Sequence, residues 1–416
     1  MSLLAQYDAV PPADVKMRLK LVSHWIRSAP RPFFAELRER RPIFRTPAFT
    51  LLTRYRDVLD VLHQPGSFSV RLYGMKLDKA MGPFMLGRDN QEQNYRDKSI
   101  MRLVMPYSDL PRVRRMIRRV TQALLPSTLK EVDLVATITR QVPVTLCDEY
   151  FGFSGLDSKT MLEWSKAMQT NIFKNMTNDQ AIEAGSVAAG QQMKRYLSER
   201  LEMNAASSAR CEEEETIIDR LGRYERAGLL PLDRPALIVN LAGLLVGAVE
   251  TTSQAVAQAL RQILLRPQIR GQAIEAASRE DSAEFDAIIW ESLRFDPINP
   301  VLPRYTELPT TIGTGTDHQA TLGTGTVVLA STASAMWDES VIENSDQFVP
   351  GRPDSHYLHF GVGTHECLGS QMGRVMISEM MRCILQREPT LIDGPGGEIQ
   401  FRESPFPESF QVKLER

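Results

Sequence analysis

Cysteine is scarce in this chain. Four stand in 416 residues, at positions 147, 211, 367 and 383, and no two form a C-x-x-C pair. So few thiols exclude a disulfide framework, argue against a zinc site or a redox dithiol, and favour a reducing compartment. Net charge is nearly absent as well: −2 overall, a balance that calls for neither nucleic acid nor an anionic membrane as partner. Long hydrophobic runs are missing too. The apolar stretch Leu241–Val249 falls far short of the ~20 residues that span a bilayer, and the opening segment MSLLAQYDAVPPADVKMRLK lacks the apolar run of a signal peptide. A cytoplasmic protein without a membrane anchor is expected. No internal repeat at a solenoid period is visible. The G-x-G pieces in GVGTHECLG and GTGTDHQATLGTGT stand outside any βαβ pattern, so neither a flavin nor a nicotinamide domain is expected.

What is present is an ordinary globular composition, 43% hydrophobic and 24% charged, in a chain long enough for a large core and for two domains. Strand candidates, PIFRTP and FTLLTRY, precede a helical pattern in YRDVLDVLHQP. Residues 65–90 read as a long loop with apolar and aromatic content, a length usually reserved for function. From about 90 to 205 the pattern is mostly helical, and the acidic run CEEEE at 211–215 reads as a solvated face. A long helix is predicted between Pro235 and Pro267, spanning roughly 45 Å at about 1.5 Å per residue. A second, SAEFDAIIWESLRF, stops at Asp296-Pro297. Beyond it, TTIGTGTDHQATLGTGTVVLAS reads as short strands and turns, followed by a helix after Cys367 and a strand-like tail.

The stretch HFGVGTHECLGSQMGR sets Cys367 among four glycines, just before a helical pattern. A thiol at a loop-to-helix junction feels the helix dipole and nearby N–H groups, which favour the thiolate. Glycines there permit tight turns and close approach of a flat ligand. A thiolate so placed serves as a nucleophile or as a metal ligand, unless the cysteine is simply structural. His365, two residues away, is poorly placed as the base a nucleophile needs. A single thiolate without companion ligands suits a metal whose other positions are already filled, as in a haem.

The spacing Phe360-Gly361-x-Gly363-x-His365-x-Cys367-x-Gly369 resembles the haem loop of the cytochrome P450 family. Further motifs follow the same order. Glu291 and Arg294 in WESLRFDP, one helical turn apart, are similar to the family's E-x-x-R, and Arg352 in FVPGRPD to the arginine that joins them. Glu250 and Thr251 in GLLVGAVETTSQ resemble the acid–threonine pair of its oxygen-binding helix, except that Ala248 stands where the family usually has glycine, preceded by Gly247. The resemblance is carried mainly by residues from about 240 to 374.

The resemblance implies a mainly α (α+β) fold over residues 1–416 as a single domain, with a long central helix over the haem. Helix-rich parts are expected at about 90–300 and 368–390, and a smaller β-rich portion from about 40–55, 300–335 and 390–416. It implies haem b with Cys367 as axial ligand, and Phe360 and Gly369 in the cofactor loop. Arg304 and His365 are implied as propionate partners. So is one arginine of the preceding helical stretch, with Arg114 preferred over Arg96. Thr251 would hydrogen-bond dioxygen and Glu250 would relay protons. Glu291, Arg294 and Arg352 would form a structural charge network. The implied reaction inserts one oxygen atom into an apolar small molecule, with electrons from a separate ferredoxin or flavodoxin. Five arginines between 112 and 119 offer a docking face or a merely solvated one. The apolar pocket is expected from Leu72, Tyr73, Met81, Phe84 and Met85, from Leu244 and Ala248, from Val301 and Leu302, and from Phe406. Competing readings are peroxide-driven oxygenation, isomerase or reductase chemistry on the same haem, a non-enzymatic haem gas sensor and, most distantly, a cysteine hydrolase.

Overall fold

The computed structural model describes residues 2–128, 130–175, 178–205, 215–279, 283–402 and 404–416. In chain order the first helices are α1 (Leu3–Ala9), α2 (Val15–Ser28), α3 (Pro30–Arg40), α4 (Tyr55–His63), α5 (Arg71–Ala80) and α6 (Gln91–Val104). Next come α7 (Leu110–Leu124), α8 (Gln141–Leu146), α9 (Ser158–Gln169), α10 (Gln180–Ala205) and α11 (Ile217–Arg226). The last are α12 (Arg234–Leu264), α13 (Pro267–Ala277), α14 (Ala283–Phe295), α15 (Thr332–Ala335) and α16 (Ser370–Leu385). The strands are β1 (Ile43–Arg45), β2 (Thr50–Leu52), β3 (Phe68–Ser69), β4 (Glu131–Asp133) and β5 (Leu302–Thr306), then β6 (Thr310–Ile312), β7 (Ala320–Leu322), β8 (Val327–Ala330), β9 (Pro389–Leu391) and β10 (Gln411–Leu414).

The chain divides into two compact units, Met1–Leu72 with Asp296–Cys367, and Tyr73–Phe295 with Leu368–Arg416. The first unit is built on a five-stranded sheet of order β1-β2-β8-β5-β3 and a β6-β7 hairpin. Its core has two apolar clusters. Leu52, Val58, Val61 and Phe68 pack with Ile312, Val328 and Met336, and Trp25, Phe33, Phe34 and Phe44 pack with Leu329 and Trp337.

The second unit is helical, and α12 runs through it. Asp233 caps the helix by accepting the Ala236 N–H at 2.9 Å, and Pro235 occupies its first turn, where no N–H is missed. Pro267 then begins α13 and prevents continuation. Helix α12 is long and apolar enough to cross a bilayer, yet α8, α9, α10, α13, α14 and α16 pack around it. Its apolar surface is consumed inside the protein.

Several expectations need correction. Residues 65–90 are not a loop, because α5 occupies Arg71–Ala80 and a 3₁₀ turn Met85–Gly87. Gly74 and Gly87 are packing sites there: a Cβ on Gly74 would lie 2.7 Å from the Gly87 carbonyl oxygen. Met81 and Met85, expected in the pocket lining, are buried core residues. Helices α1, α2 and α3 precede the strand candidates, which form β1 and β2 as expected. The C-terminal strands do not join the main sheet. β10 pairs with β9 and with β4, a strand inside the stretch expected to be helical. Residues 211–214 of the acidic run lie outside the described residues. Its last member, Glu215, is buried and accepts from Arg220 at 3.0 Å and Arg223 at 2.8 Å, so it is no solvated charge.

Helix α14 carries the most deeply buried ion pair of the second unit. Arg294 donates to both oxygens of Glu291, at 2.7 and 3.0 Å, and both side chains have no exposed surface. A charge so placed is tolerated only with its partner. Glu291→Gln is expected to cost about 3–5 kcal/mol by leaving Arg294 uncompensated, read as a lowered urea midpoint with unchanged slope.

Candidate functional site

In the first unit the cysteine loop is closed by one backbone bond, from the Cys367 N–H to the Phe360 carbonyl at 2.8 Å. Two residues inside the loop need glycine. Gly361 and Gly363 have φ of 69° and 71°, in the left-handed region, and a Cβ on Gly363 would sit 3.0 Å from His63 Nδ1. Residues Gly363–His365 form a 3₁₀ turn that packs on α4. The loop is thus seated on a rigid helix. Cys367 is partly accessible, three residues before α16 begins. The other described cysteines, Cys147 and Cys383, are buried. Burial pushes the Cys147 thiol far up and Cys383 up to about 11, so both stay neutral thiols. Arg304 is buried on β5, opposite Val328 of β8, and Val301 packs against the aromatic cluster just before that strand.

In the second unit a strip in the middle of α12 escapes burial. Gly247 is exposed, Ala248 and Thr251 are half-exposed, and Leu244 is borderline at 9%. These positions recur at helical spacing and form one face. A Cβ on Gly247 would meet open space. One turn further, Gly243 serves the opposite purpose. Its missing Cβ makes room for the Phe84 ring, which a methyl there would approach at 2.3 Å. Phe84 therefore lies against the helix backbone beside the strip.

Thr251 donates its hydroxyl to the Gly247 carbonyl at 2.5 Å. The glycine of the helix thus stands one turn behind the threonine, at 247, and the methyl of Ala248 lies beside it. Glu250 points the other way and is 1% exposed. Arg140 donates to it at 3.1 Å and also reaches Glu408 at 3.2 Å, to which Lys166 donates at 2.6 Å. Burial raises the Glu250 pKa more than Arg140 lowers it, so this acid holds a proton more readily than a free glutamate. Glu408 behaves oppositely. Burial pushes it up, but hydrogen bonds from Arg140 and Lys166 outweigh that and hold it at about 2.

Other expected residues have different surroundings. Arg114 and Arg118 both clasp Glu379, at 2.5 and 2.9 Å, so part of the Arg114 fork is already engaged. Arg119 pairs with Glu149, and Arg112 donates to the Glu215 carbonyl at 2.9 Å. The expected docking face on α7 is largely neutralised by its own neighbours. Arg352 donates to the carbonyls of Glu343, Asn344 and Gln347 in the first unit. Phe406 is buried in the second. Sequence reasoning missed Arg140, Lys166 and Glu408. Nothing local marks them, since they lie over a hundred residues from one another in the case of Glu250 and Arg140.

The residues present fit a haem bound through sulfur. The partly accessible thiol sits on a fixed loop, and among the described residues no three His, Cys, Asp or Glu side chains converge as a metal-ion site. A metal bound at Cys367 would take its remaining ligands from a cofactor rather than from the protein.

Fold and site together define a haem-thiolate protein. The profile described as Cytochrome P450 matches residues 41–388, and the chain belongs to that family as a cytochrome P450 monooxygenase. It is 26% identical to the mycinamicin IV hydroxylase/epoxidase of Micromonospora griseorubida, over 89% of this chain and 91% of that protein. It is 25% identical to the steroid C26-monooxygenase of Mycolicibacterium smegmatis, over 92% of each. Among solved structures, ligand-free CYP164A2 of Mycobacterium smegmatis superposes with a TM-score of 0.79 at 21% identity, covering 96% of this chain and all (100%) of that one.

The charge cluster makes a pH prediction. The folded Glu408 carboxyl titrates below its unfolded counterpart, so its stabilising contribution is complete above the ordinary carboxylate range and is lost as pH falls toward about 2. Glu250, raised on folding, contributes no such acid-side loss. Glu408→Gln should therefore flatten the fall of melting temperature between about pH 5 and about pH 2; an unchanged acid limb would show that Glu408 does not drive it.

Proposed function

We propose that the chain binds haem b through Cys367 and oxygenates a large apolar natural product. Arg304, His365 and the remaining donors of Arg114 would hold the propionates, with Phe360 and Gly369 shaping the cofactor loop. A haem with a thiolate on its iron supplies the activation of dioxygen that delivers one oxygen atom to substrate and the other to water. The protein's part is to orient substrate, keep water out and move protons. Glu291, Arg294 and Arg352 would be the charge network that supports the fold there.

The observation that carries this reading is the accessible strip on α12. In the middle of a mostly buried helix, Gly247, Ala248 and Thr251 stay accessible beside the nearly buried Leu244. Leu244, Ala248 and the neighbouring Phe84 present apolar surface to a substrate, with Val301 and Phe406 expected to complete the pocket. Thr251 offers a hydroxyl on that strip. Glu250, inclined to hold a proton and wired through Arg140 to Glu408 and Lys166, lies one residue behind it as a proton source. The relatives named for mycinamicin IV and for a steroid favour a bulky substrate. Electrons are proposed to come from a small ferredoxin or flavodoxin in the cytoplasm.

Cys367→Ser is expected to abolish the red-shifted Soret band of the reduced, carbon monoxide-treated protein; persistence of that band would refute sulfur ligation. Thr251→Ala and Glu250→Gln should each lower product formed per electron consumed by about 10²-fold or more, with substrate affinity unchanged in spectral titrations.

A further inference from the structure

Helix α9 crosses α12 next to the accessible strip. Ser165 donates to the Leu245 carbonyl, and Gln169 to that of Val246. Past Gln169 the chain continues in a π-helical turn, Thr170–Lys174, anchored by Lys76, whose ammonium donates to the carbonyls of Asn171 and Asn175 at 3.0 and 2.6 Å. The Tyr73 ring packs tilted against Phe173, with centroids 5.1 Å apart. The turn is therefore held in place, and it ends in a lysine five residues past Gln169.

Lys174 has an unusual environment. It lies deep in the second unit yet keeps some accessible surface, the combination expected of a group that faces an internal space. Its ammonium nitrogen stands 5.8 Å from the centre of the Phe406 ring. Among the described residues no carboxylate pairs with it. Glu408, two residues beyond Phe406, is already engaged by Arg140 and Lys166. Burial lowers the Lys174 pKa with no acid opposing it. One turn earlier, the fully buried Asn171 has an amide nitrogen with no protein acceptor. Lysines are rarely left inside a protein without a partner, because desolvation of the ammonium is costly. A ring face supplies only part of what water gave up.

We infer that Lys174 is a specificity-determining residue whose ammonium receives the carboxylate of a substrate with its apolar body along the accessible strip of α12. The inference rests on the apolar pocket proposed above and adds the chemical class: an amphiphilic carboxylic acid rather than a neutral hydrocarbon. An N⁺–H···O⁻ bond in a water-poor site is the strong kind. It would fix one end of the substrate and so select which carbon lies nearest the threonine. The Phe406 face steadies the lysine until substrate arrives.

The test uses the haem-loaded protein in calorimetric and spectral titrations with two acids, dodecanoate and cholanoate, each beside its methyl ester. The wild type should bind at least one acid tenfold or more tightly than its ester. Lys174→Met should erase that preference while leaving ester affinity unchanged, and Lys174→Arg should retain most of it. Lys174→Met should also melt no lower than wild type, since it removes an uncompensated buried charge. A wild type that binds esters as well as acids, or a methionine variant that keeps the preference, overturns the role of Lys174 and leaves the apolar pocket standing. A wild type that binds none of the four ligands overturns both.

Discussion

Helix α12 is apolar on nearly every side, so the second unit has to surround it. That single requirement accounts for much of the architecture. Six other helices pack on it, and its small residues decide how close each neighbour comes. Gly243 admits the Phe84 ring, whereas Gly247 admits nothing and leaves a gap. The unburied strip at 244–251 exists because every other face is taken. A helix this hydrophobic would ordinarily have no accessible middle, and the strip left open there is the surface proposed for substrate.

Buried charge is handled consistently through the same unit. Glu291 has Arg294, Glu379 has Arg114 and Arg118, and Glu250 has Arg140, which is shared with Glu408. In each case a guanidinium brings several donors to a carboxylate that could not otherwise remain inside. Lys174 departs from that pattern: it faces an aromatic ring, and among the described residues no acid pairs with it. The contrast between Glu250 and Glu408, one titrating high and the other low, comes from depth. The same arginine touches both, but desolvation dominates at Glu250 and hydrogen bonding at Glu408.

The chemistry-bearing residues were legible where their function depends on short spacing along the chain. The cysteine loop needs its glycines at fixed offsets because the backbone must turn left-handed at Gly361 and Gly363. The Glu291–Arg294 pair needs one helical turn, and the 31-residue helix shows its capping aspartate and bounding prolines plainly. The stretch 65–90 read as a loop, yet Gly74 lies inside α5, packed against Gly87. The arginines of α7 read as a basic face, although their partners Glu379 and Glu149 come from distant helices.

What the sequence alone determined was therefore local: the cysteine loop, the acid–threonine step, the long apolar helix and the strand-rich stretch beyond it. Each is set by backbone geometry or by residues within a few turns of one another. The tertiary structure alone decided which face of α12 stays open, which acid keeps its proton, that the C-terminal strands join β4, and that Lys174 has a ring for a neighbour. Those outcomes depend on desolvation and on pairing across a hundred residues or more, and no local pattern in a chain encodes the distance between parts that only folding brings together.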